Sequence, residues 1–193
     1  MLRRKKSTFL LLFYIAICLA LYNSFKSSKQ HSPNEPVKPK RLFCFILTQV
    51  NNFDSRTKVI HDVWAKKCDG YRLISHIPDE MREKYKISNS SKEIVYNNML
   101  ILEPPGMAND TYSKLTDKIY LTIQYVYNFH NDYDWYLKAD DDTYIFVENL
   151  LKFVSDKNPS SPVTYGYDFK VIVQNGYHSG GGGYLLSNEA LKR

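Results

Sequence analysis

At 193 residues the chain is long enough for one domain with a sizeable core, and 44% of it is hydrophobic. Its net charge of +6 is lopsided: residues 1–41 hold nine Lys/Arg against one Glu, which leaves 17 basic and 19 acidic residues for the remainder. A slightly acidic remainder gives no footing for nucleic-acid binding, and the basic excess belongs to the N-terminal segment.

That segment opens with Arg3-Arg4-Lys5-Lys6 and then runs uncharged and apolar from Thr8 to Tyr22. Residues 8–22 read as a signal anchor. A cleaved signal peptide competes, because the stretch is short for a spanning helix, although Cys18-Leu19-Ala20 is a mediocre cleavage site. The basic cluster then keeps residues 1–7 cytosolic and sends the C-terminal bulk into a lumen. Residues 23–41 turn to Ser, Lys, Asn and three recurring prolines (Pro33, Pro36, Pro39), the composition of an extended stem or a disordered linker. Residues 42–193 form the lumenal domain.

Leu42–Leu47 is a continuous apolar run, as expected of a strand buried on both faces. Asp54 to Lys67 carries Val59, Ile60, Val63 and Trp64 at helical spacing, with Asp54 or Ser55 as the N-cap. Tyr71–Ile77 reads as a second strand and Glu93–Tyr96 as a weaker third, followed by the breaker Glu103-Pro104-Pro105-Gly106. Thr111 to Phe129 is a helix with Leu115, Ile119, Ile123 and Val126 on one stripe and many tyrosines expected to pack. Asp134 to Ala139 alternates apolar Trp135, Leu137 and Ala139 with Tyr136 and Lys138, the period of a half-buried strand. Val147–Phe153 is a helix, Val163–Tyr165 opens a last strand region, and a glycine run leads into a helix starting at Ser187. Strands alternating with helices imply an α/β layer with a mostly parallel sheet, whose ligands bind at the carboxyl ends of its strands.

Asp140-Asp141-Asp142 stands at such an end. Three adjacent carboxylates repel, and a bound cation would keep them ionised; oxygen ligands without nearby Cys or His suit Mg²⁺ or Mn²⁺. A solvated acidic turn or a helix N-cap is the plainer alternative. Gly180–Gly183 has neither the P-loop nor the dinucleotide pattern, so it is a substrate-lining loop or a flexible hairpin. Asn89-Ser90-Ser91 and Asn109-Asp110-Thr111 are sequons that suit a lumenal domain. With Cys18 in the apolar segment, Cys44 and Cys68 are an even pair for an oxidising compartment, either bridged strand to helix or left as buried thiols.

Four stretches together resemble the core 1 β1,3-galactosyltransferases of the fringe-like group: Cys44–Thr48, Thr57–Trp64 with Cys68, Asp134–Tyr144 and Gly176–Arg193. The resemblance implies a GT-A-like nucleotide-sugar-binding fold in a single-pass type II Golgi membrane protein. It implies transfer of galactose from UDP-galactose to O-linked N-acetylgalactosamine on a glycoprotein acceptor, Mn²⁺-dependent (or Mg²⁺) and inverting, with homodimerisation as a further expectation. By position, Asp140 and Asp142 match the metal ligands that hold the UDP diphosphate, with Asp141 between them structural. Leu47 falls where the family lines the uridine site. Lys118 matches a lysine in nucleotide contact, its alternative being a solvated helix face.

Two departures matter. Thr111-Tyr112 stands where the family has a Gly-Arg pair, which removes one expected cationic contact. The catalytic base, a metal-completing His and aromatic acceptor contacts are expected beyond Arg193, and the lone His178 is not taken for the base. An inactive truncated relative, a lumenal chaperone or binding protein, and a sister β1,3-glycosyltransferase with another sugar are the alternatives.

Overall fold

The computed structural model describes Ile17, residues 39–171 and residues 173–193. By internal contacts the chain divides into Met1–Lys38 and Pro39–Arg193. The expected tail (1–7), anchor (8–22) and stem as far as Lys38 lie outside the described residues, Ile17 excepted. Among the described residues no helix is long and apolar enough to cross a membrane.

The second unit is a mixed α/β layer built on a seven-stranded sheet. Its strands are β1 (Leu42–Leu47), β2 (Gly70–Ile74), β3 (Glu93–Tyr96), β4 (Met99–Leu102), β5 (Trp135–Asp140), β6 (Thr164–Gly166) and β9 (Tyr184–Ser187), in the order β3-β4-β2-β1-β5-β9-β6. The centre, β4-β2-β1-β5, is parallel, while β3 and β9 run against their neighbours. A small separate ribbon pairs β7 (Asp168–Phe169) with β8 (Tyr177–His178). The helices are α1 (Lys58–Val63), α2 (Asp79–Lys84), α3 (Leu115–Phe129), α4 (Val147–Val154) and α5 (Asn188–Lys192).

Alternation along β1 divides the core in two. Leu42, Cys44 and Ile46 join Trp135, Leu137 and Ala139 of β5 in a cluster with Ile60 and Trp64, against which Leu150 and Leu151 of α4 pack. Phe43, Phe45 and Leu47 join Tyr136 and Leu102 in the opposite cluster, against which Leu115, Ile119 and Ile123 of α3 pack beside buried Val126. Helices on both faces explain why β1 reads as an unbroken apolar run. They also correct the half-buried reading of β5. Tyr136 and Lys138 are as buried as their apolar neighbours, and burial pushes the Tyr136 hydroxyl up to about 12.

Three further expectations change. The helix expected over Asp54–Lys67 is a composite: a π-turn over Phe53–Thr57, then α1, then a 3-10 turn over Ala65–Lys67. Neither Asp54 nor Ser55 caps it. Asp54 instead accepts from Tyr96 Oη, and Ser55 Oγ donates back to the Asn52 carbonyl. The tyrosines around α3 do not all pack, since Tyr112, Tyr120 and Tyr127 are exposed. The glycine run feeds a strand that was not expected, β9, while the helix start expected at Ser187 is found: Ser187, the last residue of β9, caps α5 by accepting from Ala190 N. A disulfide joins Cys44 of β1 to Cys68, just beyond α1, across 6.2 Å between Cα atoms.

Candidate functional site

Because β1 and β5 are parallel neighbours with Leu47 paired to Asp140, both chains leave the sheet side by side at the same edge. The segments that follow, with the loop before α3, enclose a cavity of about 350 Å³. Its walls include Leu47, Thr48, Asn52, Arg56, Asp110, Tyr112, Lys118 and all three carboxylates of the acidic triplet. The four residues singled out by the resemblance, Leu47, Lys118, Asp140 and Asp142, therefore meet on one cavity. The position is the carboxyl end of a parallel sheet, where open α/β layers bind ligands.

The three aspartates have different surroundings. Asp140 is half-buried; its Oδ1 accepts from Lys138 Nζ at 2.6 Å, and the same ammonium donates to the Gly180 carbonyl at 2.9 Å. Asp141 is buried, and its Oδ2 accepts from Thr48 Oγ1 at 2.8 Å and Asn52 Nδ2 at 2.7 Å. Thr48 is in turn in hydrogen-bond contact with Thr57 Oγ1, which locks the start of α1 to the end of β1. Asp142 is exposed, with no protein hydrogen bond among the described residues. The triplet is thus held in three different ways: Asp140 by an ammonium, Asp141 by neutral donors, and Asp142 open to solvent.

Lys118 is not on a solvated helix face. Only 4% of it is exposed, and its Nζ donates to the Thr48 carbonyl and to Asp110 Oδ1, each at 2.5 Å. Burial pushes its pKa down, while Asp110 and, more weakly, Asp141 and Asp140 oppose the shift. Asp110 also accepts from Ser75 Oγ and His76 N, so it ties α3 to the end of β2. Tyr112 stands on the rim and is 90% exposed. The sequon asparagines, Asn89 and Asn109, are both exposed, and Thr111 Oγ1 donates to Asn109 Oδ1 at 3.0 Å.

The glycine segment does not line the cavity; it packs behind the triplet, where the Gly180 carbonyl accepts from Lys138 Nζ and the Gly181 carbonyl from Thr143 Oγ1. Gly183 has φ +79, and an added Cβ would lie 2.9 Å from the Lys138 carbonyl. Glycine is therefore required for β9 to turn in beside β5. His178 lies in β8, where its Nε2 meets Thr164 Oγ1 at 2.8 Å; it does not line the cavity. Sequence reasoning missed Thr48, Asn52, Asp110 and Lys138. Only Lys138 carried a signal, a lysine enclosed by apolar residues two positions before the triplet.

A second concavity of about 660 Å³ adjoins the first. It is lined by Val59, Ile60, Val63, Trp64 and Tyr144, and it shares Arg56, Asp141 and Asp142 with the polar cavity.

The pattern of the galactosyltransferase family matches residues 58–178. The glycoprotein-N-acetylgalactosamine 3-beta-galactosyltransferase 1 of Xenopus laevis is 31% identical over 88% of this chain and 42% of its own length. The beta-1,3-glucosyltransferase of Mus musculus is 33% identical over 82% of this chain and 29% of its own length. Chondroitin sulfate synthase 3 of Homo sapiens is 30% identical over 48% of this chain and 12% of its own length. The chain spans less than half the length of each of these relatives. On the breadth of these matches, the chain belongs to the galactosyltransferase family.

Proposed function

We propose that the chain carries the donor-binding part of an inverting, Mn²⁺-dependent transferase with a GT-A-like fold. It moves galactose from UDP-galactose to the 3-hydroxyl of N-acetylgalactosamine O-linked to Ser or Thr. The observation that carries this reading is the meeting of Leu47, Lys118, Asp140 and Asp142 on one polar cavity at the ends of β1 and β5. The N-terminal basic cluster and apolar stretch support placement as a single-pass type II protein of the Golgi membrane, and homodimerisation goes with that family reading.

The donor set fits a hard divalent ion. Asp140 and Asp142 offer carboxylate oxygens, and among the described residues no larger group of His, Cys, Asp and Glu is poised to hold a metal. Two carboxylates completed by phosphate oxygens is the set that Mg²⁺ and Mn²⁺ accept. Held there by Asp140 and Asp142, such an ion would supply positive charge against the departing diphosphate. Lys138 holds the Asp140 carboxylate in place, Asp141 anchors the turn through Thr48 and Asn52, and Lys118 presents a cation that a phosphate would contest with Asp110. In the transfer, the acceptor hydroxyl oxygen bonds to the anomeric carbon from the face opposite the diphosphate. The bond to UDP breaks with its electron pair, and the hydroxyl proton passes to a general base. No described residue is assigned as that base.

Calorimetric titration of the full chain with UDP, with and without MnCl₂, tests the reading. Mn²⁺-dependent binding is expected, with Asp142→Asn weakening it by about tenfold or more. Absence of binding at millimolar UDP would sink the donor assignment. The similarity to a beta-1,3-glucosyltransferase favours a second reading, in which another sugar is transferred. Assaying UDP-galactose against UDP-glucose on an α-N-acetylgalactosaminyl peptide separates the two, and glucose transfer without galactose transfer would reject the first. A mass shift on glycosidase treatment of protein from a secretory host checks glycan attachment at Asn89 and Asn109.

A further inference from the structure

We infer that Arg56 is a specificity-determining residue of the polar cavity: its guanidinium grips the terminal phosphate of a nucleoside diphosphate and so separates a diphosphate from a monophosphate. The inference deepens the donor reading above and rests on it. The cavity lining holds four carboxylates, Asp110, Asp140, Asp141 and Asp142, against two cations, Lys118 and Arg56. An anionic ligand entering such a space is repelled unless cations face it. Lys118 is buried and already divided between Asp110 and the Thr48 carbonyl. Lys138 is bound to Asp140 and does not line the cavity. Arg56 is exposed and makes no ion pair or hydrogen bond among the described residues. Among those residues it is the one uncommitted cation of the lining.

The segment that carries Arg56 is held more firmly than an exposed position implies. It belongs to the π-turn Phe53–Thr57, a rare backbone form that recurs at functional sites. Phe53 and Thr57 are buried on either side of it. Asn52 Nδ2, just ahead of the turn, donates to Asp141 Oδ2 at 2.7 Å, and Thr57 Oγ1 is in hydrogen-bond contact with Thr48 Oγ1 at the end of β1. Asp54 accepts from Tyr96 Oη at 3.1 Å, and Ser55 Oγ donates to the Asn52 carbonyl at 3.2 Å. Every polar side chain from Asn52 to Thr57 therefore has a partner within the protein except Arg56. A backbone pinned on both sides, with a single open guanidinium, loses little freedom when that side chain takes a ligand. Arg56 also borders the apolar groove, which puts it at the mouth of the polar cavity and not on its floor. The guanidinium is a planar fork that matches two oxygens of one phosphate. A monophosphate drawn to Lys118 leaves this fork empty, and a second phosphate fills it.

The test is calorimetric titration of the full chain with UDP, UMP and inorganic pyrophosphate, each with MnCl₂. The parent should bind UDP about tenfold more tightly than UMP. Arg56→Gln should weaken UDP binding by about tenfold and leave UMP binding within about twofold, so that the preference collapses. Arg56→Lys should restore part of the loss, since an ammonium keeps the charge but not the fork. Lys58→Gln removes a neighbouring cation that is paired with Asp62 and does not line the cavity, so it should change neither affinity and controls for net charge. Circular dichroism melting checks that the variants fold, as their exposed positions lead one to expect. UDP binding unchanged in folded Arg56→Gln overturns the inference and leaves Arg56 a solvated surface cation. So does a loss shared equally by UDP and UMP, or one reproduced by Lys58→Gln. A parent that binds pyrophosphate through Arg56 but does not bind UDP upholds the diphosphate grip and removes the donor reading instead. A parent that binds neither overturns both.

Discussion

The two concavities that share the acidic turn are held together by different forces. The polar cavity is walled by side chains whose hydrogen bonds are already made: Lys118 to Asp110, Thr48 and Asn52 to Asp141, and Asp140 to the buried Lys138 behind it. The apolar groove is walled by α1, whose attachment to the sheet rests on buried Ile60 and Trp64 and on the covalent tie from Cys44 to Cys68 just beyond the helix. One wall is built from charges fixed in place before any ligand arrives, the other from packing and a disulfide. A fixed polar cavity loses little reorganisation energy when a charged ligand enters, whereas an apolar wall binds through area and shape. The two can therefore be broken separately.

Breaking the covalent tie has the largest expected effect. Cys44 and Cys68 are 24 residues apart, and a closed loop of that size contributes about 3 kcal/mol in the chain-entropy description. The double replacement Cys44→Ser with Cys68→Ser should lower unfolding stability by about that amount in a urea titration. Below its melting transition, the variant should keep UDP affinity. Loss of UDP affinity along with stability would show that the two walls are one mechanical unit.

Lys138→Met attacks the other wall. Lys138 is 1% exposed, so its removal leaves Asp140 Oδ1 and the Gly180 carbonyl without their partner. Asp140 keeps some contact with solvent, which lowers the cost from that of a fully buried pair to about 2 kcal/mol. Here UDP binding is expected to weaken, in contrast to the disulfide variant. Full UDP affinity in Lys138→Met would end the distinction drawn between the walls.

Much of this architecture was legible, and the misses have physical causes. β1 announced itself because burial on both faces leaves six consecutive apolar residues. The acidic triplet was legible because three carboxylates at the end of a strand serve no packing purpose. β4 was missed although Asn97-Asn98 separates it from β3; both asparagines have positive φ, 48 and 65, which marks a two-residue hairpin turn. α2 was missed because it has no apolar stripe. Its one buried residue is Arg82, which pairs with Glu103 across the fold, and no local pattern records such a partner. The site residues that escaped, Thr48, Asn52 and Asp110, make contacts 93, 89 and 35 positions away in sequence, respectively.

Gly183→Ala is expected to have a smaller effect than either wall variant. Its φ of +79 disfavours any side chain, and the added Cβ would crowd the Lys138 carbonyl. The expected cost is about 1–2 kcal/mol of stability. Since β9 pairs with β5 through Lys138 and Tyr184, the strain falls on the strand that carries the triplet, and UDP binding should weaken with it. A variant that matches the parent in both stability and UDP affinity would show that β9 does not brace the polar wall.

The smallest expected effect lies at the far edge of the sheet and serves as the control for both walls. Glu93, on edge strand β3, accepts from Arg72 Nη2 at 2.8 Å and pairs with His130 Nε2 at 2.8 Å. Burial opposes its ionisation, but the hydrogen bonds from Arg72 and His130 prevail and hold its pKa below the ordinary value of 4.5. A carboxylate with a depressed folded pKa contributes stability that is fully present above the unfolded value and is lost as pH falls through the folded one. The urea midpoint of the parent should therefore decline as pH drops below about 4.5, and Glu93→Gln should flatten part of that decline while costing under about 1 kcal/mol at neutral pH. The UDP affinity of Glu93→Gln at neutral pH should match that of the parent. A change would mean that the edge of the sheet is coupled to the site, and that losses seen in the wall variants report general softening of the sheet instead of separate walls.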